Sequence, residues 1–137
     1  MGVLLMSSDL RQMALDRARD AKILLDAKRY VGAYYLIGYA VECALKAVIA
    51  KRTRRHEFPE KERVNASWTH NFDNLFEKAA LEKEPMSKQT KTYLATVKKW
   101  KPDSRYEPKK SRNEAKDLFE EVTHSHNGVL SWSKTYW

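Results

Sequence analysis

The amino-acid sequence predicts an all-α protein, an antiparallel up-and-down bundle of four or five helices with one fully buried central helix. Apolar residues recur at three- and four-residue spacing through most of the chain, and no alternating stretch has a useful strand length. One segment is apolar around nearly its whole circumference, which is typical of a central helix. The 137 residues suit a single domain that spans 1–137.

Two helices are predicted at the start of the chain. The first covers residues 8–28, with apolar side chains on one face and a Ser-Ser-Asp run at 7–9 whose oxygen atoms can cap its first amide groups. The second covers residues 31–51 and is the segment that is apolar all round. Because such a circumference has to be buried, this helix is expected at the centre of the bundle.

The second helix carries one polar pair, two glycines and several tyrosines. Glu42 and Lys46 are four residues apart with the acid first, so we expect a structural ion pair near the core or an interface. Gly32 and Gly38 weaken the helix locally but allow the close approach of a neighbour. The tyrosines are expected to pack in the core with their hydroxyl groups at the rim, and base stacking is the alternative. They are Tyr30, Tyr34, Tyr35 and Tyr39.

Shorter elements are predicted in the second half of the chain. A polar connector is expected over residues 51–67, and a third helix begins near residues 69–71. Pro85 interrupts the apolar pattern and can start another helix, because proline suits a first turn. Residues 101–110 contain two prolines and are expected to form a loop.

The last helix is predicted to begin at Ser111. Ser111 and Glu114 have the spacing of a capping box, in which each side chain accepts from the backbone of the other residue. The apolar face then continues through Val122 to Val129, so one uninterrupted helix is expected here. Tryptophans near the end of the chain indicate a tail that packs either on the bundle or on a second copy.

The net charge of +8 is concentrated in two segments. Residues 51–63 hold six basic and three acidic residues, and residues 98–112 hold seven basic and two acidic ones, so the rest of the chain is neutral overall. Such segments indicate contact with a phosphate backbone or an acidic partner, and two solvated loops are the alternative. The nucleic-acid-binding candidates are Arg52, Arg54, Arg55, Lys98, Lys99, Lys101, Arg105, Lys109, Lys110 and Arg112.

The first two predicted helices carry a recognisable pattern, which continues into the start of the third. It consists of residues 17–25, then Ala33-Tyr34-Tyr35 and Val41-Glu42-Cys43-Ala44-Leu45-Lys46-Ala47, then Thr69-His70-Asn71-Phe72. The pattern resembles the HEPN superfamily of prokaryotic helical-bundle proteins. That resemblance implies an all-α bundle that forms a homodimer and works in toxin–antitoxin, phage-defence or RNA-handling systems. It also implies a small nucleotidyltransferase-like protein as a partner.

Many proteins of that superfamily are metal-independent ribonucleases, in which an Arg is followed after four to six residues by a His near the start of the last helix. Arg112 opens that helix here, but residues 117–119 are Asp, Leu and Phe, and His124 comes too late. The same spacing occurs elsewhere, between Arg63 and His70. If this pair is not catalytic, we expect the His70 ring to form a hydrogen bond with a backbone group where the third helix begins.

Three functions are compatible with the sequence. The leading hypothesis is a non-catalytic HEPN-like module that binds nucleic acid or a nucleotide as a homodimer. The first alternative is a ribonuclease toxin with an atypical pair, either Arg63 with His70 or Arg112 with His124. The second is a subunit whose role is to pair with a nucleotidyltransferase-like protein.

The sequence predicts neither a cofactor nor a metal site. His124 and His126 would point about 200° apart on a helix, and Cys43 is the one cysteine. No run of about 18 uncharged apolar residues occurs, so no membrane contact is expected. The apolar N-terminal residues lack the basic flank of a secretory signal, and we expect a cytoplasmic protein.

Overall fold

The computed structural model describes residues 6–55 and 70–137, apart from the side chains of 53–55. These residues form six α-helices and no strand, so the predicted all-α class is confirmed. The α-helices are α1 (Ser7–Asp26), α2 (Tyr30–Arg55), α3 (Phe72–Lys78), α4 (Lys88–Val97), α5 (Arg112–Thr123) and α6 (Val129–Ser133). Two short 3-10 helices cover Pro102–Tyr106 and Lys134–Tyr136.

Helix α2 is the central element of the molecule. It packs against α1 along much of its length and also contacts α3, α5 and α6. From Ile37 to Ile49 every residue except Tyr39 and Lys46 is buried. The prediction of a fully buried helix is wrong where α2 carries its four tyrosines, each of which stays partly exposed. A tyrosine buries its ring while its hydroxyl group reaches water, which accounts for this partial exposure.

The predicted single last helix is two helices, which is why the described residues contain six rather than four or five. Helix α5 ends at Thr123, and the chain turns before α6 begins at Val129. A Cβ atom on Gly128 would lie only 2.5 Å from the carbonyl oxygen of Val122 and 2.6 Å from the backbone nitrogen of His124. The turn therefore depends on a residue without a side chain at this position.

Most predicted helix starts coincide with a side-chain cap. Ser111 accepts from the Glu114 backbone at 3.0 Å, and the Glu114 carboxylate accepts from the Ser111 backbone at 3.2 Å. At α1, Asp9 is the residue of the predicted Ser-Ser-Asp cap that bonds the backbone at the start of the helix. Its carboxylate accepts from the Met6 N–H at 3.1 Å. The Ser7 hydroxyl instead donates to the carbonyl of Ala47 at 3.1 Å, which ties α1 to α2.

The C-terminal tail packs on the chain's own bundle. The indole N–H of Trp137 donates to the carbonyl of Ala44 at 3.3 Å, and the Lys51 amine donates to the Trp137 carbonyl. The indole of Trp132 donates to the carbonyl of Pro85 at 2.9 Å. These bonds match the first of the two predicted alternatives, packing on the chain's own bundle.

Residues Tyr30–Arg52 of α2 pass a length and hydropathy test for a membrane span. Within their most apolar stretch, 67% of the residues are buried inside the bundle. The core helix of a soluble protein passes the same test, and burial by neighbouring helices is what such a helix shows.

Candidate nucleic-acid interface

An aromatic column runs from the core to the surface beside the first half of α2. The rings of Phe72 and Trp100 stack with centroids 5.3 Å apart, and Trp100 lies 6.0 Å from Tyr35. The guanidinium of Arg105 lies 5.8 Å from the Tyr35 ring and 4.8 Å from the Tyr106 ring. These five residues, called the aromatic column below, bring part of the second basic segment against the central helix.

The inner part of the column is fixed by Gly38. A Cβ atom at this position would lie 2.2 Å from two atoms of the Trp100 indole, so the glycine allows the ring to rest directly on the α2 backbone. The sequence prediction of a close approach at Gly38 is therefore confirmed. Trp100 is buried, and its indole nitrogen has no hydrogen-bond partner among the described residues. Its position is set by packing alone.

The outer end of the column is exposed. Tyr106 has 73% of its surface in contact with solvent, and Arg105 beside it is also exposed. Both residues belong to the 3-10 helix Pro102–Tyr106, whose Ser104 is buried against the bundle. Proline in its first turn favours this short helix, which packs against α2. The ring and the guanidinium are thus presented together on an ordered support.

Two cations of the second basic segment are already paired within the chain. Lys110 lies 2.8 Å from Glu107 and 3.4 Å from Glu114, and its ammonium sits 4.2 Å from the centre of the Tyr34 ring. Its side chain is only 12% exposed, and the bond to Glu107 raises its pKa. Lys98 lies 2.8 Å from a carboxylate oxygen of Asp73.

The remaining five cations of this segment are exposed and form no ion pair with the described part of the chain. They lie on residues 98–112, the segment that also contains the outer end of the aromatic column. They are Lys99, Lys101, Arg105, Lys109 and Arg112. This set is called the basic surface below.

Arg52, in the first basic segment, is engaged elsewhere in the bundle. Arg52 donates to the carbonyl groups of Ala79 at 2.7 Å and Ala80 at 3.0 Å, and it lies 3.2 Å from Glu84. Its donors satisfy the C-terminal end of α3, so Arg52 has a structural role. It is 17 residues from Tyr35 on α2, about 25 Å along the helix axis. The side chains of Arg54 and Arg55 lie outside the described residues.

The predicted polar pair on α2 gains a third member. The Lys46 ammonium lies 3.1 Å from Oε2 of Glu42, and Nδ1 of His70 lies 2.7 Å from Oε1. Glu42 is only 2% exposed, whereas His70 is 56% exposed. The expectation that the His70 ring bonds a backbone group is wrong, because a buried carboxylate with an unused oxygen is the stronger acceptor.

The other candidate pair does not meet within one chain. Arg112 is the first residue of α5 and His124 is the residue that ends it, so the two lie about 18 Å apart along the axis. Nδ1 of His124 accepts from the backbone N–H groups of His126 at 3.3 Å and Asn127 at 3.1 Å. His124 therefore shapes the turn before α6. Arg63 lies outside the described residues.

A shallow cleft of about 320 Å³ lies between α3 and α4. Its rim carries the carboxylates of Asp73, Glu77 and Glu82, and its floor is apolar, with Phe76 and Met86. This negative rim is unsuited to a phosphate. Among the described residues, no group of three His, Cys, Asp or Glu side chains is placed to hold a metal ion.

Sequence reasoning did not single out Glu121 on α5. Burial and the nearby charge of Asp117 raise the pKa of this carboxyl to about 7, against a small opposing effect of Lys99. One of its oxygen atoms is buried and has no hydrogen-bond partner among the described residues. The sequence signal that was available is its position three residues, about one helical turn, after the apolar Leu118. Burial also raises the pKa of the Cys43 thiol, to about 11, so this cysteine stays protonated at neutral pH.

Comparison with known families identifies the fold. A family model of the HEPN domain matches residues 7–135. The chain belongs to the HEPN domain family. No curated protein and no solved structure gives a significant match. The resemblance drawn chiefly from the first two helices is thus confirmed, and the all-α architecture agrees with this HEPN assignment.

Proposed function

We propose that this HEPN chain binds RNA through the basic surface on residues 98–112 and does not cleave it. The observation that carries the proposal is the group of five exposed cations on residues 98–112 that form no ion pair with the described residues, with Arg105 among them beside the exposed ring of Tyr106. Phosphate contacts from Lys and Arg supply most of the affinity of non-specific nucleic-acid binding. The acidic cleft between α3 and α4 leaves this surface as the favourable side for a polyanion.

The absence of cleavage is supported by what surrounds the candidate histidines. No described Arg–His pair shares α5 at the spacing of the ribonucleolytic HEPN proteins, since residues 117–119 are Asp, Leu and Phe. His124 accepts hydrogen bonds within its own turn. A homodimer, a nucleotidyltransferase-like partner, a toxin–antitoxin or defence setting and a cytoplasmic location belong to the same proposal, on the HEPN resemblance alone.

The proposal is tested by fluorescence anisotropy with a labelled RNA of about 20 nucleotides at rising KCl concentration. If all five cations contact phosphates, the slope of log K against log salt should be about −3.5. The variant Lys101→Ala/Arg105→Ala/Lys109→Ala should weaken binding at least tenfold and reduce the slope by about two. The matched control Lys83→Ala/Lys88→Ala/Lys91→Ala loses the same charge elsewhere and should bind nearly as the parent does. Equal losses in both variants, or no binding at low salt, would refute the proposal.

A second candidate function rests on His70. The Glu42 carboxylate holds Nδ1 of an exposed imidazole at 2.7 Å, an arrangement that fixes the tautomer of a ring used in proton transfer. If the chain is instead a ribonuclease toxin, its expression should arrest growth, and His70→Ala should relieve the arrest while the purified variant keeps its helical circular dichroism. Unimpaired growth with the parent chain would eliminate this candidate.

A further inference from the structure

We infer that the outer end of the aromatic column is a stacking site for unpaired bases, so that the substrate class is single-stranded nucleic acid. This inference rests on the proposed function and specifies how the same surface selects its ligand. The inference depends on Tyr106 and Arg105. The proposed function uses only the position of Tyr106 and the charge of Arg105.

The geometry of the outer end fits a base. The guanidinium of Arg105 lies 4.8 Å from the centre of the Tyr106 ring, so a cation already supports that ring. With 73% of the residue exposed, most of the ring is available to a flat partner. Bases of single strands stack on aromatic rings and on guanidinium planes with little dependence on sequence.

The site is supported by the bundle before a ligand arrives. Tyr35, which packs against Trp100, lies 5.8 Å from the guanidinium of Arg105, and the 3-10 helix Pro102–Tyr106 contacts α2. A ring held in its binding position loses little conformational entropy when a base stacks on it. Exposed cations at Lys101 and Lys109 flank the helix and can track the backbone on either side of the stacked base.

The same geometry discriminates against a duplex. Paired bases stack on one another, and only their edges and the phosphate backbone are accessible from outside. A duplex can therefore meet the cations but not the Tyr106 ring. Charge alone would favour both forms, so a preference for single strands has to come from the ring.

Tyr106 is also separable from the stability of the bundle. The inner residues Phe72 and Trp100 are buried and form the core part of the column, whereas the Tyr106 ring is largely in solvent. Removing it should leave the fold intact. A loss of binding on its removal therefore reports a contact with the ligand rather than unfolding, and circular dichroism checks this.

The test compares labelled oligouridine, oligothymidine and a duplex, each of about 20 nucleotides, for the parent chain and for Tyr106→Ala and Tyr106→Phe. Tyr106→Ala should weaken binding of the single strands about five- to hundredfold, with an unchanged salt slope and unchanged duplex affinity. Tyr106→Phe keeps the ring and should retain most of the affinity.

The outcomes separate this inference from the proposed function. If the parent chain binds single strands and Tyr106→Ala binds them equally well, stacking is refuted while the basic surface stands. If Tyr106→Ala loses single-strand and duplex affinity in equal measure, stacking is again refuted, because the effect is then one of structure or charge. If the parent chain binds no nucleic acid, the proposed function fails and this inference fails with it.

Discussion

At the scale of single residues, a few positions have a large effect on packing or stability. Gly38 is the clearest, because the Trp100 indole occupies the space that a Cβ atom would need. Glu121 is another, since part of its carboxyl group is buried without a partner. Both residues lie close to the candidate interface, one beneath the aromatic column and one beside Lys99.

Gly38→Ala should destabilise the protein by about 2–3 kcal/mol, because the indole or the α2 backbone has to shift to accommodate the methyl group. Gly32→Ala is the matched control on the same helix. The nearest atom to its added Cβ, at 3.0 Å, is the end of the flexible Leu24 side chain, and alanine favours a helix by about 1 kcal/mol over glycine. Urea unfolding measures both variants. Equal stabilities for the two would contradict the role assigned to Gly38.

Glu121→Gln should change how stability depends on pH. The pKa of Glu121 is raised to about 7 in the folded protein, so the folded state binds this proton more tightly than the unfolded state does. The associated stability is complete below about pH 4.5 and is lost as the pH rises to about 7. At pH 8 the glutamine variant should therefore be more stable than the parent by about 1 kcal/mol, allowing for solvent around a partly exposed group.

Urea unfolding between pH 5 and pH 8 measures this difference. Glu120→Gln, at an exposed position next in the chain, is the control and should leave the pH profile of the parent unchanged. Parallel profiles for Glu121→Gln and the parent would show that Glu121 ionises as it does in the unfolded chain.

At the scale of elements, α2 combines an apolar core with one buried charge cluster. Glu42 is 2% exposed and is shared by Lys46 and His70, which approach its two oxygen atoms. A buried carboxylate is tolerated only while its partners remain, because its desolvation is costly. Lys46 is less buried and can extend toward water, so the two members of the pair are not equivalent.

Lys46→Met should therefore cost about 2–4 kcal/mol of stability, because it leaves the Glu42 charge with His70 alone. The double change Glu42→Met/Lys46→Met removes the buried charge as well and should recover at least half of that loss. Thermal and urea unfolding of the two variants measure the recovery. A double variant that is less stable than Lys46→Met would mean that the ion pair itself stabilises α2.

Much of the element structure could be predicted from local sequence. The Ser111–Glu114 capping box starts α5 as predicted, and Asn71 caps α3 by accepting from Asn74 at 3.1 Å. The break between α5 and α6 could not be predicted. Val122 and Val129 are seven residues apart, which is the spacing of residues on one helix face, although the chain turns between them. The steric need for Gly128 appears only when the turn is folded.

The candidate site was predicted as a segment but not as a surface. The concentration of charge on residues 98–112 was visible in the sequence, and the Arg105–Tyr106 pair inside it was a usable signal for stacking. Which cations are free depends on contacts distant in sequence. Arg52 is engaged by residues 27 to 32 positions away, and no local pattern reports that.

At the scale of the whole molecule, charge and aromatic side chains divide the bundle into two ends. The N-terminal half of α2 carries the aromatic column and the basic surface, whereas Arg52 near its C-terminal end binds the α3 terminus. The cleft between α3 and α4 carries three carboxylates beside Lys98. The free cations of the basic surface favour a nucleic acid at the first of these two ends.

The most direct measurement of that division is a nuclear magnetic resonance titration of the isotope-labelled protein with oligouridine. We expect chemical-shift changes chiefly for the backbone amides of residues 99–112 and for those around Tyr35 on α2, which support them. The chemical shifts of the amides around Arg52 and Glu84 should not change. Changes confined to that second region, or no changes at low salt with the protein folded, would contradict a nucleic-acid interface on the basic surface.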